Sequence, residues 1–112
     1  MDYWWSLDEL VRMNELVIDR PKGTPPPRVP NSIYPIDYGY FKGTPGGDGD
    51  GVDVWRGSLE SCKVQASIVT VDLLKTNAEG KLVVRCTDEE IEKGLNYHNM
   101  FSQSGVLVKR ND

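Results

Sequence analysis

The stretch CKVQASIVTVDLLKTNAEGKLVVRC, residues 62–86, decides the fold class. Its first half, CKVQASIVTVDLL (62–74), is rich in Val, Ile and Thr and alternates too loosely for one exposed face. That pattern predicts a long, partly buried strand. TNAEG reads as a turn and KLVVRC as extended chain again, so residues 62–86 predict a β-hairpin. Just downstream, Thr87 and Glu90 form a capping box that opens a helix through about His98, with Ile91 and Leu95 inward and Gly94 weakening its middle. GVLVKR then reads as a closing strand.

Upstream, VDVWR (52–56) is extended, DYGYF (37–41) is a short strand or bend, and ELVID (15–19) is a strand that ends before Pro21. Ser6 and Glu9 form a capping box for a short first helix whose Leu7, Leu10 and Val11 share a face. Five prolines in KGTPPPRVPNSIYP (22–35) exclude regular structure there and predict an ordered or polyproline-like connector. No internal repeat interrupts this order. Many short non-local strands with two small helices predict a mainly β, α+β fold. We expect one domain, 1–112, built as a small, partly open, OB-like β-barrel with short flanking N- and C-terminal helices.

Charge and composition narrow the function. The net charge is −4 and the pI about 4.9, with no basic run, which argues against an extended nucleic-acid partner. No run of about 18 apolar residues provides a membrane span. MDYWWSLDEL lacks the regions of a signal peptide, so cytoplasmic residence and no membrane partner are expected. Cys62 and Cys86 lie in strand-like contexts without a CxxC partner and read as buried thiols. Trp4, Trp5 and Trp55 read as core or subunit-interface residues, and His98, near a helix end, as a capping or surface residue.

The functional signal is GGDGDGVDVW (46–55), which sets Asp48, Asp50 and Asp53 within six residues. An EF-hand counted from Asp48 fails: Val52 falls on a ligand position, Asp53 on the glycine position and Leu59 where the bidentate glutamate belongs. A calcium β-roll needs stacked copies, and this pattern occurs once. Two readings remain. One is a solvated Asp-Gly hairpin. The other is a site for Mg²⁺ or Mn²⁺, hard cations held by carboxylate and phosphate oxygens. In extended chain Asp50 and Asp53 would point to opposite sides, so convergence requires a turn at Gly49 or Gly51.

YPIDYGYFKGTPGGDGDGVDVW (34–55) resembles the signature region of the soluble family I inorganic pyrophosphatases. There a Tyr-Pro-x-x-Tyr-Gly segment precedes Asp-x-Asp-Pro-apolar-Asp-apolar, matched here by Tyr34, Pro35, Tyr38, Gly39, Asp48, Asp50, Val52, Asp53 and Val54. A weaker resemblance runs from about Val17 to Val84. It implies a compact β-barrel with flanking helices, and metal-dependent hydrolysis of pyrophosphate or another small phosphoanhydride, with Mg²⁺ or Mn²⁺ as cofactor. It also implies assembly into homo-oligomers. The implied metal ligands are Asp48 and Asp53, joined by Glu79 and Asn77 where the family has its second acidic pair, and by Asp19. Asp50 matches the carboxylate that deprotonates the attacking water, and Tyr38 a phenol near it. Lys22, Arg28 and Lys81 are the implied phosphate cations, with Arg20 an alternative to Arg28.

The departures define a rival. Gly51 replaces the usual proline, Asn77 is neutral, and Tyr97-His98 or His98-Asn99 stands where the family has a tyrosine-lysine clamp. The connector before Tyr34 is also short. A relative that has lost turnover, and serves as a metal-dependent phosphate or nucleotide-binding module or a scaffold, is the alternative to the hydrolase.

Overall fold

A computed structural model describes residues 1–25, 32–47, 49–61 and 63–111. It contains a six-stranded mixed sheet that does not close, ordered β1-β2-β3-β5-β4-β6. The elements are α1 (Tyr3–Met13), β1 (Leu16–Arg20), β2 (Asp37–Phe41), β3 (Val52–Arg56), β4 (Val64–Asp72), β5 (Asn77–Val84), α2 (Asp88–Tyr97) and β6 (Gln103–Lys109). The β3–β5 pair is parallel; every other pair is antiparallel. No helix among the described residues is long and apolar enough to cross a membrane.

Side-chain alternation splits the core between the two faces of the sheet. Phe41, Val54, Val64, Leu82 and Val84 pack on one face beneath α1, which covers them with Trp4, Leu7, Leu10 and Val11. Tyr34, Ile36, Trp55, Ala66, Ile68, Val83 and Cys86 pack on the other, beneath Ile91, Leu95 and Tyr97. Adjacent residues Val54 and Trp55, each fully buried, therefore serve opposite layers.

Local details correct parts of the sequence reading. The first helix begins before Ser6: Asp2 is its cap and accepts from the Trp5 amide at 2.8 Å, so the Ser6–Glu9 box is not used and Glu9 instead pairs with Arg12. An aspartate at the N-cap satisfies an orphan amide as well as serine does, and its earlier position adds a turn of packing. The second box forms as expected, with Thr87 and Glu90 bonding each other's backbone. The hairpin turn lies at residues 73–76, not at TNAEG, because the Asp72 carboxylate accepts from the Leu74 and Lys75 amides at 3.0 and 3.2 Å. Asn77 and Glu79 therefore belong to β5.

Trp5 is half exposed, unlike Trp55. Cys86 is a free buried thiol, and burial pushes its pKa up to about 12, which leaves it unreactive; Cys62 lies outside the described residues. Gly39 has a steric reason: a Cβ there would stand 1.9 Å from the Val17 carbonyl oxygen, so only glycine lets β2 lie against β1 at this point. The register of β1 shifts between Ile18 and Arg20, beside this contact, which places Asp19 at an irregularity of an edge strand.

Candidate functional site

The loop between β2 and β3 is closed by short-range bonds. Thr44 Oγ1 donates to the Phe41 carbonyl at 2.7 Å and accepts from the Val52 amide at 2.8 Å, while the Gly51 amide donates to the Pro45 carbonyl at 3.1 Å. Gly49 and Gly51 take φ of +86° and +114°, supplying the turn that extended chain lacked. Proline cannot adopt the Gly51 conformation, so the departure from the family motif is built into the loop's path. Asp50 and Asp53 consequently line the same cleft. Asp48 and Arg28 lie outside the described residues.

The opposite wall comes from β5, where the two-residue period puts Asn77, Glu79 and Lys81 on one face. The parallel β3–β5 register sets Lys81 beside Asp53. Lys81 Nζ donates to Asp53 Oδ2 at 2.8 Å and also bonds Glu79 Oε2. Asn77 Nδ2 donates to Glu79 Oε1 at 2.8 Å, so Asn77 serves Glu79 as an amide donor. Burial works against the Lys81 charge, but Asp53 and Glu79 together outweigh it and hold the lysine pKa above its ordinary value. The ammonium is a tethered cation between two carboxylates.

Tyr38 stands over this group. Burial raises its phenol pKa far above the ordinary value, Asp53 adds to the effect, and the hydroxyl hydrogen-bonds Asp53. Protonated Tyr38 thus orients the Asp53 carboxylate. Tyr34 and Tyr97 stack at 5.0 Å, and burial, then Tyr97, pushes the Tyr34 pKa up to about 12, with Arg20 opposing.

The cleft has a volume of about 970 Å³, and its described lining includes Asp19, Arg20, Asp50, Asp53, Asn77, Glu79, Lys81 and Tyr38 from the sequence reading or its alternatives. Asp19 is exposed at the rim. Lys22 is not part of the lining: it is exposed, and its amide donates to Asp37 Oδ1 at 2.9 Å. Asp72 and Gln103 also line the cleft, and sequence reading missed both. Strand parity could have found Asp72, which shares a face with Thr70 and pairs in register with Asn77.

His98 corrects a surface expectation. It occupies the C-cap of α2 but is only 4% exposed and lines the cleft floor. Its Nε2 accepts from the Trp55 indole N–H at 3.0 Å, which requires the proton on Nδ1, 2.9 Å from Gln103 Oε1. Burial lowers its pKa from 6.5 to about 4, with Lys81 acting in the same direction and Gln103 and Glu79 against it. Because the folded state holds the neutral ring, its stabilisation is complete above pH 6.5 and fades as pH falls toward about 4. Over that interval we expect a loss of about 3 kcal/mol, read by urea unfolding at stepped pH. His98→Gln should flatten this dependence; an equal slope in the variant would assign it to other groups.

Among the described residues no three His, Cys, Asp or Glu side chains form a group able to hold a metal ion. The carboxylate oxygens that line the cleft nonetheless have the chemistry that hard divalent cations prefer, and the His98 imidazole there already accepts from the Trp55 indole. No family model matches the chain, and no curated protein matches its sequence. Its backbone is similar to a solved structure of the inorganic pyrophosphatase from the pathogenic bacterium Helicobacter pylori. The TM-score is 0.60 over 84% of this chain and 81% of that one, at 16% identity. The fold is pyrophosphatase-like. Within it, the acidic loop and the β5 face lie along one open cleft.

Proposed function

We propose that this chain hydrolyses inorganic pyrophosphate to phosphate in the presence of Mg²⁺ or Mn²⁺. The observation that carries this reading is the convergence of Asp50 and Asp53 with Glu79 and Lys81 in one cleft of a pyrophosphatase-like fold. Asp48, Asp53 and Glu79 would hold the cation, with Asp19 and Asn77 adding oxygens. Such an ion acidifies water and neutralises phosphate charge. Asp50 takes the proton of the attacking water. Asp53, oriented by Tyr38 and Lys81, keeps its carboxylate in place while charge moves. Arg20 and Lys81 offer cations to the phosphate oxygens, and Arg28 would add to them.

A second reading, a phosphate- or nucleotide-binding module without turnover, has specific support. The Lys81 ammonium already bridges Asp53 and Glu79, and buried neutral His98 belongs to the pair, Tyr97-His98 or His98-Asn99, that stands where the family resemblance implies a tyrosine-lysine clamp. Phosphate release from pyrophosphate with Mg²⁺, with Mn²⁺ and with chelator separates the two. The hydrolase reading expects release with metal and none with chelator. No release under any condition, with retained pyrophosphate binding by calorimetry, establishes the binding module instead.

A further inference from the structure

The cleft has two chemically different ends. One holds Asp50, Asp53, Glu79 and Lys81; the other is bounded by the turns after β4 and before β6, where Leu74 and Phe101 are 83% and 78% exposed yet line the same cavity. From Lys81 back to Asn77, which directly follows the first turn, β5 spans about 13 Å. Two linked phosphoryl groups held near Lys81 reach only part of that distance and leave the apolar end empty.

The apolar end is built. Leu73 N–H donates to the Ser102 carbonyl at 3.1 Å, and Ser102 Oγ donates to Asp72 Oδ1 at 2.9 Å, so the carboxylate that caps one turn ties it to the other. Phe101 has φ +58°, a left-handed conformation that disfavours a bulky side chain. Glycine or asparagine would occupy it at lower energy. The fold instead holds an aromatic ring there, in water, and strained backbone of this kind clusters at ligand sites.

Resting on the reading of the acidic end as a phosphoanhydride site, we propose that the cleft takes phosphoanhydrides bearing a planar heterocycle, nucleoside polyphosphates as a class, with the base on Phe101 and Leu74. A flat ring face favours a stacked heterocycle over a flexible hydrocarbon tail, and Ser102 and Lys75 at the same end supply polar partners for ring heteroatoms. In the reaction, water oxygen bonds to the terminal phosphorus as its bond to the bridging oxygen breaks. The bridging oxygen leaves with the nucleoside diphosphate, and the water proton passes to Asp50 and then to solvent.

The test measures kcat/KM for ATP and for pyrophosphate in wild type, Phe101→Ala and Phe101→Leu, with ADP binding followed by calorimetry. The expected result is a fall in the ATP-to-pyrophosphate ratio of about tenfold or more in both variants, with ADP affinity falling in parallel. An unchanged ratio and unchanged ADP affinity overturn the base subsite, as does geranyl diphosphate binding more tightly than ADP. Pyrophosphate turnover with neither cleavage nor binding of nucleotide sinks the base subsite and leaves the hydrolase reading intact. ADP binding that depends on Phe101, without pyrophosphate turnover, sinks the hydrolase reading and supports the subsite.

Discussion

Asp50→Asn is expected to lower phosphate release from pyrophosphate about 100- to 10,000-fold while leaving the fold unchanged. Asp50 lies on the loop between β2 and β3 and lines the cleft beside Asp53. An amide keeps the size and polarity of the side chain but cannot accept the water proton, so the loss should appear in kcat rather than in pyrophosphate affinity. Asp53→Asn should act differently. It removes the charge that Lys81 and Tyr38 converge on, so it should perturb stability and metal affinity together. Steady-state kinetics at saturating Mg²⁺, with circular dichroism as the folding control, checks the first claim. An Asp50→Asn variant with full kcat would remove Asp50 from proton transfer.

Trp55→Ala is expected to cost about 3–5 kcal/mol of folding stability, a large share of what a domain this size possesses. Trp55 is fully buried in β3, with ring centroids 4.5 Å from Tyr38, 5.5 Å from Tyr97 and 5.4 Å from His98. Alanine would open a cavity beneath α2 and leave His98 Nε2 without its donor. Trp55→Phe separates these effects in part, since it keeps an aromatic ring in the core but loses the pyrrole half of the indole with its N–H. Urea unfolding of both variants at pH 7 gives the answer: a loss below about 1 kcal/mol for the alanine would contradict the packing described here. His98 should also titrate higher in the phenylalanine variant, because its Nε2 becomes free to take a proton.

These two residues illustrate how the sequence could be read. The Asp50 loop was legible because its signal is local: carboxylates spaced by glycines, with Gly49 and Gly51 adopting the left-handed turn that convergence required. Thr87 and Glu90 were legible for the same reason, since a capping box spans one helical turn. The start of the first helix is not legible locally, because Asp2 and Ser6 are both good caps and packing of Trp4 with Leu7, Leu10 and Val11 selects the longer helix. Composition puts the hairpin turn at TNAEG, too late, because it does not show that Asp72 bonds the Leu74 and Lys75 amides. That displacement changes chemistry as well as boundaries. It moves Asn77 and Glu79 onto a strand face, where Glu79 bonds Lys81 and accepts from Asn77.

The sequence by itself determined the mainly β class, both helices, the hairpin, and an acidic loop bent at its glycines, because periodicity, capping and turn chemistry act over a few residues. Only the tertiary structure decided that β3 runs parallel to β5, which brings Asp53 against Lys81 across 28 residues of chain. It also decided that His98 is buried and neutral, held by a tryptophan 43 positions away. Such pairings depend on which faces are buried together and on closing long loops, and no local pattern encodes them.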